Sequence, residues 1–373
     1  MIKKRKDLIP ISNIIFQGNE VDYVRDAVES NWVSSIGPYI DKFEIDFAAT
    51  MDCSFAVSVN NGTSALLLAL KALDIGPGDE VIAPSFTFAA TVNAIIYAGA
   101  TPVLVDSMED HWNLDPVKVE NAVTSSTKAI IPVHLYGHPC DMASILLIAT
   151  KYDLFVVEDA AEAHNAVSLG KKVGSLGTIG CFSFYGNKIL TTGEGGMCVT
   201  QDVALNDRLR TLRDHGMNKN RRYWHDEVGF NFRLTNLNAA LGVAQLEQLP
   251  GFLQRRKHLS NLYDQGFTSL SESVYTKTSP FGDPVHWLYC LFVKESCHIK
   301  RDDLITKLKE YNVDVRPAFH PVHAMPPYKK LRRSVSMKNS EIFGSYGINL
   351  PINPTLTMED VQYIIEAIGE ILK

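Results

Sequence analysis

The sequence predicts an α/β protein: a large domain on a seven-stranded, mostly parallel sheet, followed by a smaller C-terminal α+β domain. Between about residues 55 and 215, short β-branched runs alternate with amphipathic stretches, the pattern of a parallel sheet with crossover helices. After Leu249-Pro250-Gly251 the pattern changes to a charged stretch and then irregular sequence. At 373 residues the chain also exceeds one comfortable hydrophobic core. The expected division is therefore 1–250 for the large domain, with its N-terminal segment, and 251–373 for the small one.

The strands expected in order are FAVSV (55–59), EVIAP (80–84), PVLVD (102–106), KAIIPVHL (128–135), LFVVED (154–159), CFSF (181–184) and MCVT (197–200). Most of the long gaps between them carry helical patterns, such as TSALLLALKALDIG, which ends at a glycine as helix C-termini often do. In the C-terminal part, WLYCLFV (287–293) reads as a strand. The last element, TMEDVQYIIEAIGEILK, opens with Thr357 as N-cap and places Val361, Ile364, Ile365, Ile368 and Ile371 on one face, which should cover the small core.

Composition narrows the partners. Hydrophobic residues make up 46% and charged residues 21%, with a net charge of -6, which argues against nucleic acid and against a polybasic membrane-surface role. Small molecules are the expected ligands. The basic start MIKKRKDLIP lacks the apolar core of a secretory signal, and apolar runs such as ALLLAL at 65–70 are too short to span a bilayer, so a cytoplasmic location is expected. Six cysteines show no metal-type spacing and read as reduced, buried thiols, with no metal implied.

In an open parallel sheet, ligands gather outside the carboxyl ends of the strands, so polar residues just after strand runs carry weight. Asn60-Asn61-Gly62-Thr63-Ser64 follows the first strand and opens a helix, a place suited to a phosphate as well as to an ordinary cap. Asp159 ends LFVVED, and Lys188 follows CFSF ahead of TTGEGG. Alone, the acid reads as a turn residue and the lysine as a surface charge. No G-x-x-x-x-G-K-[ST] and no G-x-G-x-x-G after the first strand is present, which removes P-loop and dinucleotide readings. What remains is an amine, an acid and a phosphate-type helix start, the groups a pyridoxal phosphate enzyme needs for an imine, a pyridinium partner and a phosphate site. Phe88 in PSFTFAAT offers a ring to stack on such a cofactor, or simply to fill the core.

These segments, with NWVSSIGPYIDKFE (31–44), GATPVLVD, VHLYGHPCDM, VEDAAEAH, FSFYGNKILTTGEGG, GFNFRLTNLNAALG (229–242) and RPAFHPVHAMPPY (316–328), resemble the sugar aminotransferases of the DegT/DnrJ/EryC1/StrS family across nearly the whole chain. The resemblance implies the aspartate aminotransferase-like type I fold and pyridoxal 5'-phosphate as cofactor. It implies Lys188 as the imine-forming lysine, Asp159 as the acid on the pyridine nitrogen, and Phe88 as the ring cover. Gly62, Thr63 and Ser183 match the phosphate site, and Asn231 a residue given to that site by the neighbouring subunit, hence a homodimer with shared active sites. Glu162 stands where many relatives carry glutamine. An ionised glutamate cannot donate to the cofactor's phenolic oxygen, so Glu162 is expected to be protonated or turned toward another donor.

The implied reaction moves an amino group from an amino acid, expected to be L-glutamate, to a nucleotide-linked keto sugar. Likeness to the perosamine-type branch points to a GDP-linked 4-keto-6-deoxyhexose, with a 3- or 4-aminotransferase on a dTDP- or UDP-linked sugar as the alternative. Trp224 and His225 in RRYWHDEVGFN, together with Arg316, His320 and His323, are candidates for lining the sugar or nucleotide site or holding a carboxylate. A sugar dehydratase is disfavoured because such relatives replace the lysine by histidine. A non-catalytic regulatory protein that keeps the cofactor is the rival of another class.

Overall fold

The computed structural model describes residues 2–334 and 336–373. The N-terminal two thirds supplies β1 (Phe55–Val59), β2 (Glu80–Pro84), β3 (Thr101–Val105), β4 (Thr127–Ile130), β5 (Phe155–Asp159), a short hairpin of β6 (Val167–Ser168) and β7 (Lys171–Lys172), then β8 (Ile179–Ser183) and β9 (Gly196–Thr200). The remainder adds β10 (Val274–Thr276), β11 (Tyr289–Val293), β12 (Arg316–Pro317), β13 (Arg332–Arg333) and β14 (Gly347–Leu350). The main sheet runs β1-β9-β8-β5-β4-β2-β3-β13. All its pairings are parallel except those of β9, which is antiparallel to both neighbours. All seven expected strands are present, and β4 stops short of the expected KAIIPVHL because Pro132 has no N–H for the ladder. The eighth strand, two arginines laid on the edge of β3, is an addition that a dipeptide of that composition does not announce.

Strand side chains divide between two cores. Val81, Ala83, Ala129, Ile131 and Val157 belong to the larger cluster, whereas Ile82, Ile130 and Val156 belong to a second one on the other face. The alternation is the period-two geometry of a strand, and burial on both faces explains why these runs read as continuous apolar sequence. Helices α1 (Glu20–Glu29), α2 (Pro38–Thr50), α3 (Gly62–Ala72), α4 (Ala89–Ala98), α5 (Pro116–Ala122), α6 (Met142–Tyr152) and α7 (Val203–Arg213) complete the layers. Among them Met142, Ile145 and Ile148 of α6 cover one face, and Leu66, Leu68 and Leu70 of α3 the other.

The domain boundary expected near Leu249-Pro250-Gly251 falls inside a helix. Helix α8 (Asn236–Phe267) runs through Pro250 without interruption. Its first half buries Ala239, Val243, Leu246 and Leu249 in the large core, and its second half buries Leu259, Tyr263 and Phe267 in the small one. Apolar residues continue on the buried side past the proline, and this packing outweighs one lost backbone hydrogen bond. The N-terminal segment touches both cores: Ile11 lies in the large one, whereas Ile9 lies in the small one, its N–H donating to Asn312 O at 2.8 Å and its carbonyl accepting from Asp314 N at 2.9 Å.

The small unit is an antiparallel sheet, β10-β11-β14-β12, covered by α9 (Arg301–Glu310), the end of α8 and α11 (Met358–Ile371). Helix α10 (Lys338–Tyr346) bridges back to the main sheet through Ser340, whose Oγ–H donates to Asp106 at 2.6 Å. Thr357 caps α11 as expected, in a reciprocal capping box with Asp360, and Val361, Ile364, Ile365, Ile368 and Ile371 are all buried. Among the described residues no helix is long and apolar enough to cross a membrane, and no cluster of potential metal ligands is present.

Candidate active site

The carboxyl ends of β1, β5 and β8 converge on one cavity of about 840 Å³. At the end of β1 the chain turns through Asn60-Asn61 into α3. The Asn61 side chain accepts the Ser64 N–H at 2.8 Å, the cap anticipated from NGTS, and the following N–H groups of a helix start have no intrahelical partner. Glycine at position 62 keeps this corner close: a Cβ there would stand 2.7 Å from the Cβ of Ser183, at the end of β8, and something would have to shift. The helix start and the Ser183 hydroxyl therefore face the same corner of the cavity.

Asp159 closes β5. Its Oδ2 accepts the Thr91 hydroxyl at 2.8 Å and its Oδ1 the Ala161 N–H at 3.2 Å. Burial pushes this carboxyl above its ordinary range, against the pull of Thr91, Ala161 and the Lys188 charge. A buried acid with neutral donors as its bonding partners is most stable with a cation added in front of it.

Lys188 stands on the loop after β8, its N–H held by Tyr185 O at 2.9 Å. Its Nζ donates to Glu162 Oε1 at 3.2 Å and lies 3.8 Å from the centre of the Trp287 ring. Glu162 Oε2 accepts the Tyr136 N–H at 2.8 Å. The departure from glutamine thus leaves an acceptor facing two donors, while burial raises the Glu162 carboxyl and the Lys188 charge opposes that rise. Tyr136 supplies its N–H from a left-handed backbone, φ 57°, a conformation that strains a bulky residue by roughly 1–3 kcal/mol.

Phe88 lines the mouth, half open to solvent, its ring 5.7 Å from that of Phe319. Gly62, Thr63, Phe88, Asp159, Glu162, Ser183, Lys188 and Arg316 all line the cavity. The remaining sequence candidates do not. Asn231 is exposed and bridges to Asp214, and Trp224 and His225 are on the exposed segment before it, Trp224 Nε1 donating to Asp226 at 3.1 Å and His225 meeting His215 O at 2.9 Å. His320 is exposed. His323 is buried with both ring nitrogens engaged, by Ser85 Oγ at 2.6 Å and Glu341 at 3.1 Å, so it joins β2 to α10 instead of facing a ligand.

Three residues at the site escaped the sequence reading. Thr91 was within reach, three positions after Phe88 at the start of a helix. Tyr136 and Trp287 reach Lys188 and Glu162 from distant parts of the chain, and nothing local marks them.

The donors fit pyridoxal phosphate. The raised Asp159 carboxyl would take the pyridinium, the α3 start and Ser183 the phosphate, Phe88 the ring face, and Lys188 is the one lysine lining the cavity among the described residues. Comparison with known proteins agrees. The model of the DegT/DnrJ/EryC1/StrS aminotransferase family matches residues 15–369. The GDP-perosamine synthase of Caulobacter vibrioides is 47% identical, with 95% of this chain and 96% of that protein covered. That of Escherichia coli O157:H7 is 44% identical, covering 97% and 98%. The structure of Streptomyces venezuelae DesV in complex with a ketimine intermediate superposes with a TM-score of 0.90 at 37% identity, covering 95% of this chain and 94% of that one. With a lysine, a buried acid and a phosphate-type helix start around one cavity, and the family pattern along almost its full length, this chain belongs to the DegT/DnrJ/EryC1/StrS family of pyridoxal phosphate-dependent sugar aminotransferases.

Proposed function

We propose that the chain transfers the amino group of L-glutamate to C4 of GDP-4-keto-6-deoxymannose, making GDP-perosamine for a polysaccharide such as an O-antigen, in the cytoplasm. The observation that carries this reading is the 47% and 44% identity to two GDP-perosamine synthases over essentially the whole chain.

Bound pyridoxal phosphate supplies an electron sink and carries the amino group between the two substrates. Lys188 would hold the cofactor, and its amine, when free, is placed to move the proton at the donor's α-carbon. Asp159 would keep the pyridine nitrogen charged, and the low dielectric around this buried carboxylate would strengthen that pairing. Gly62, Thr63 and Ser183 would hold the phosphate, and Phe88 would exclude water from one ring face. Glu162 takes up the Lys188 ammonium when the amine is free. Arg316, exposed at the cavity wall, is suited to a donor carboxylate or a nucleotide phosphate.

Asn231 lies away from this chain's own cavity, and its role is completion of the phosphate site of a second copy. The working unit is then a homodimer with shared sites. Incubating the enzyme with L-glutamate and a panel of GDP-, dTDP- and UDP-linked keto sugars, with products followed by mass, tests the substrate. Amination of only a dTDP- or UDP-linked ketone would overturn the GDP assignment.

A further inference from the structure

The contacts around Lys188 form a closed circuit, of which the reaction so far uses only the pairing of Lys188 with Glu162 and leaves Tyr136 and Trp287 without a role. Lys188 Nζ meets Glu162 Oε1 at 3.2 Å, Glu162 Oε2 meets Tyr136 N at 2.8 Å, Tyr136 O accepts the Trp287 N–H at 2.9 Å, and the Trp287 ring returns to Lys188 Nζ at 3.8 Å. Tyr136 reaches two members at once because its left-handed backbone sends the N–H to Glu162 and the carbonyl to Trp287. Trp287 is held on further sides. Its Nε1–H donates to Asn187 O at 2.6 Å, its carbonyl accepts from the buried Arg256 at 2.9 Å, and its ring stacks near-parallel on Tyr136, 12° between planes. A residue that only filled space would need neither its edge bonded to the residue before the lysine nor its face beneath the amine.

We propose that Trp287 is a positioning residue for Lys188, its indole edge fixing the lysine loop and its face, with Glu162, fixing where the free amine rests. The inference rests on the aminotransferase reading for its consequence, because an amine released during each turnover must return to the same place to move a proton. An ammonium over an indole face is stabilised by the ring quadrupole, and Glu162 directs a second N–H, so the amine has one preferred direction. Effective proton transfer needs donor and acceptor within hydrogen-bond reach, and a displaced amine loses rate before it loses binding.

The test uses W287F, which keeps a ring face but loses the bond to Asn187, and W287L, which loses both. Trace acylation of the cofactor-free protein with an amine-directed ester, read by peptide mass spectrometry, compares Lys188 with the exposed Lys128. Acylation consumes the uncharged, free amine, so W287L should raise Lys188 labelling about 2- to 30-fold relative to Lys128, with W287F between it and wild type. In the loaded enzyme, W287L should lower kcat at least tenfold while KM for donor and sugar stays within about twofold, and W287F should recover part of the loss. Unchanged Lys188 labelling with unchanged kcat, or a change in KM alone, would overturn the proposal. If W287L does not fold, W287F alone decides, with the same criteria. The labelling contrast needs no sugar, so it stands or falls whichever nucleotide the enzyme accepts.

Discussion

Replacing Gly62 by alanine isolates the phosphate corner. The backbone at 62 is not left-handed and opens a helix, so alanine meets no conformational barrier there and gains about 0.5–1 kcal/mol in helix propensity. The new methyl, however, would stand 2.7 Å from Ser183 Cβ, 3.2 Å from Ser183 Oγ and 3.3 Å from Ser183 Cα. One of these neighbours is backbone of β8, so the strand end and α3 must separate by several tenths of an ångström, at about 1–3 kcal/mol of overpacking. Propensity offsets part of that cost in the folded chain. The displacement falls on the two groups proposed to hold the phosphate, and cofactor affinity should drop about 5- to 150-fold with a small change in melting temperature. The assay is titration of cofactor-free protein with pyridoxal phosphate by absorbance. Gly251, with nothing within 4 Å of its Cβ position, is the control, and its alanine variant should bind normally and gain about 0.5–1 kcal/mol of stability. An unchanged affinity in Gly62→Ala would refute the phosphate assignment.

Asp159→Asn should separate stability from function: burial raises the folded carboxyl above its unfolded value, so its ionised form works against folding above that unfolded value, and the amide should raise the melting temperature of the cofactor-free protein at pH 7. The same variant should lose about 10²–10³ in kcat, since the amide cannot balance a pyridinium charge, and a normal kcat would contradict the role of Asp159. Acid should unfold the protein through its buried histidines. Burial drives His111 and His164 down to about 3, His286 to about 4, and His138 down as well. Their neutral forms belong to the folded state, so their contribution is complete above the unfolded value near 6.5 and falls by about 1.4 kcal/mol per histidine per pH unit below it. Melting temperatures measured from pH 7 to 4 should fall steeply, less so in His138→Asn, and a flat profile would refute this. Mixing Lys188→Ala with Asn231→Ala subunits should restore activity absent from either alone if sites are shared, and no restoration would contradict the shared-site dimer.

The main sheet was legible because strands buried on both faces leave continuous apolar runs, and the polar residues that end β1, β5 and β8 mark their ligand side. Asp159, Gly62 and Lys188 were readable for that reason: the first ends β5, and the other two stand on the short turns that leave β1 and β8. The continuity of α8 has no local signature, because Pro250-Gly251 is a local stop signal that two flanking cores override. Tyr136 and Trp287 act through contacts between distant segments, and a left-handed tyrosine has no sequence signature. His323 illustrates the converse error, since its polar side chain serves a buried link from Ser85 to Glu341 instead of a ligand.

Borohydride reduction of the enzyme loaded with pyridoxal phosphate, followed by peptide mass spectrometry, tests the central claim most directly. The cofactor's mass is expected on the peptide carrying Lys188, with no fixed cofactor and no amino transfer in Lys188→Ala. Cofactor fixed to a different lysine, or undiminished transfer in that variant, would contradict it.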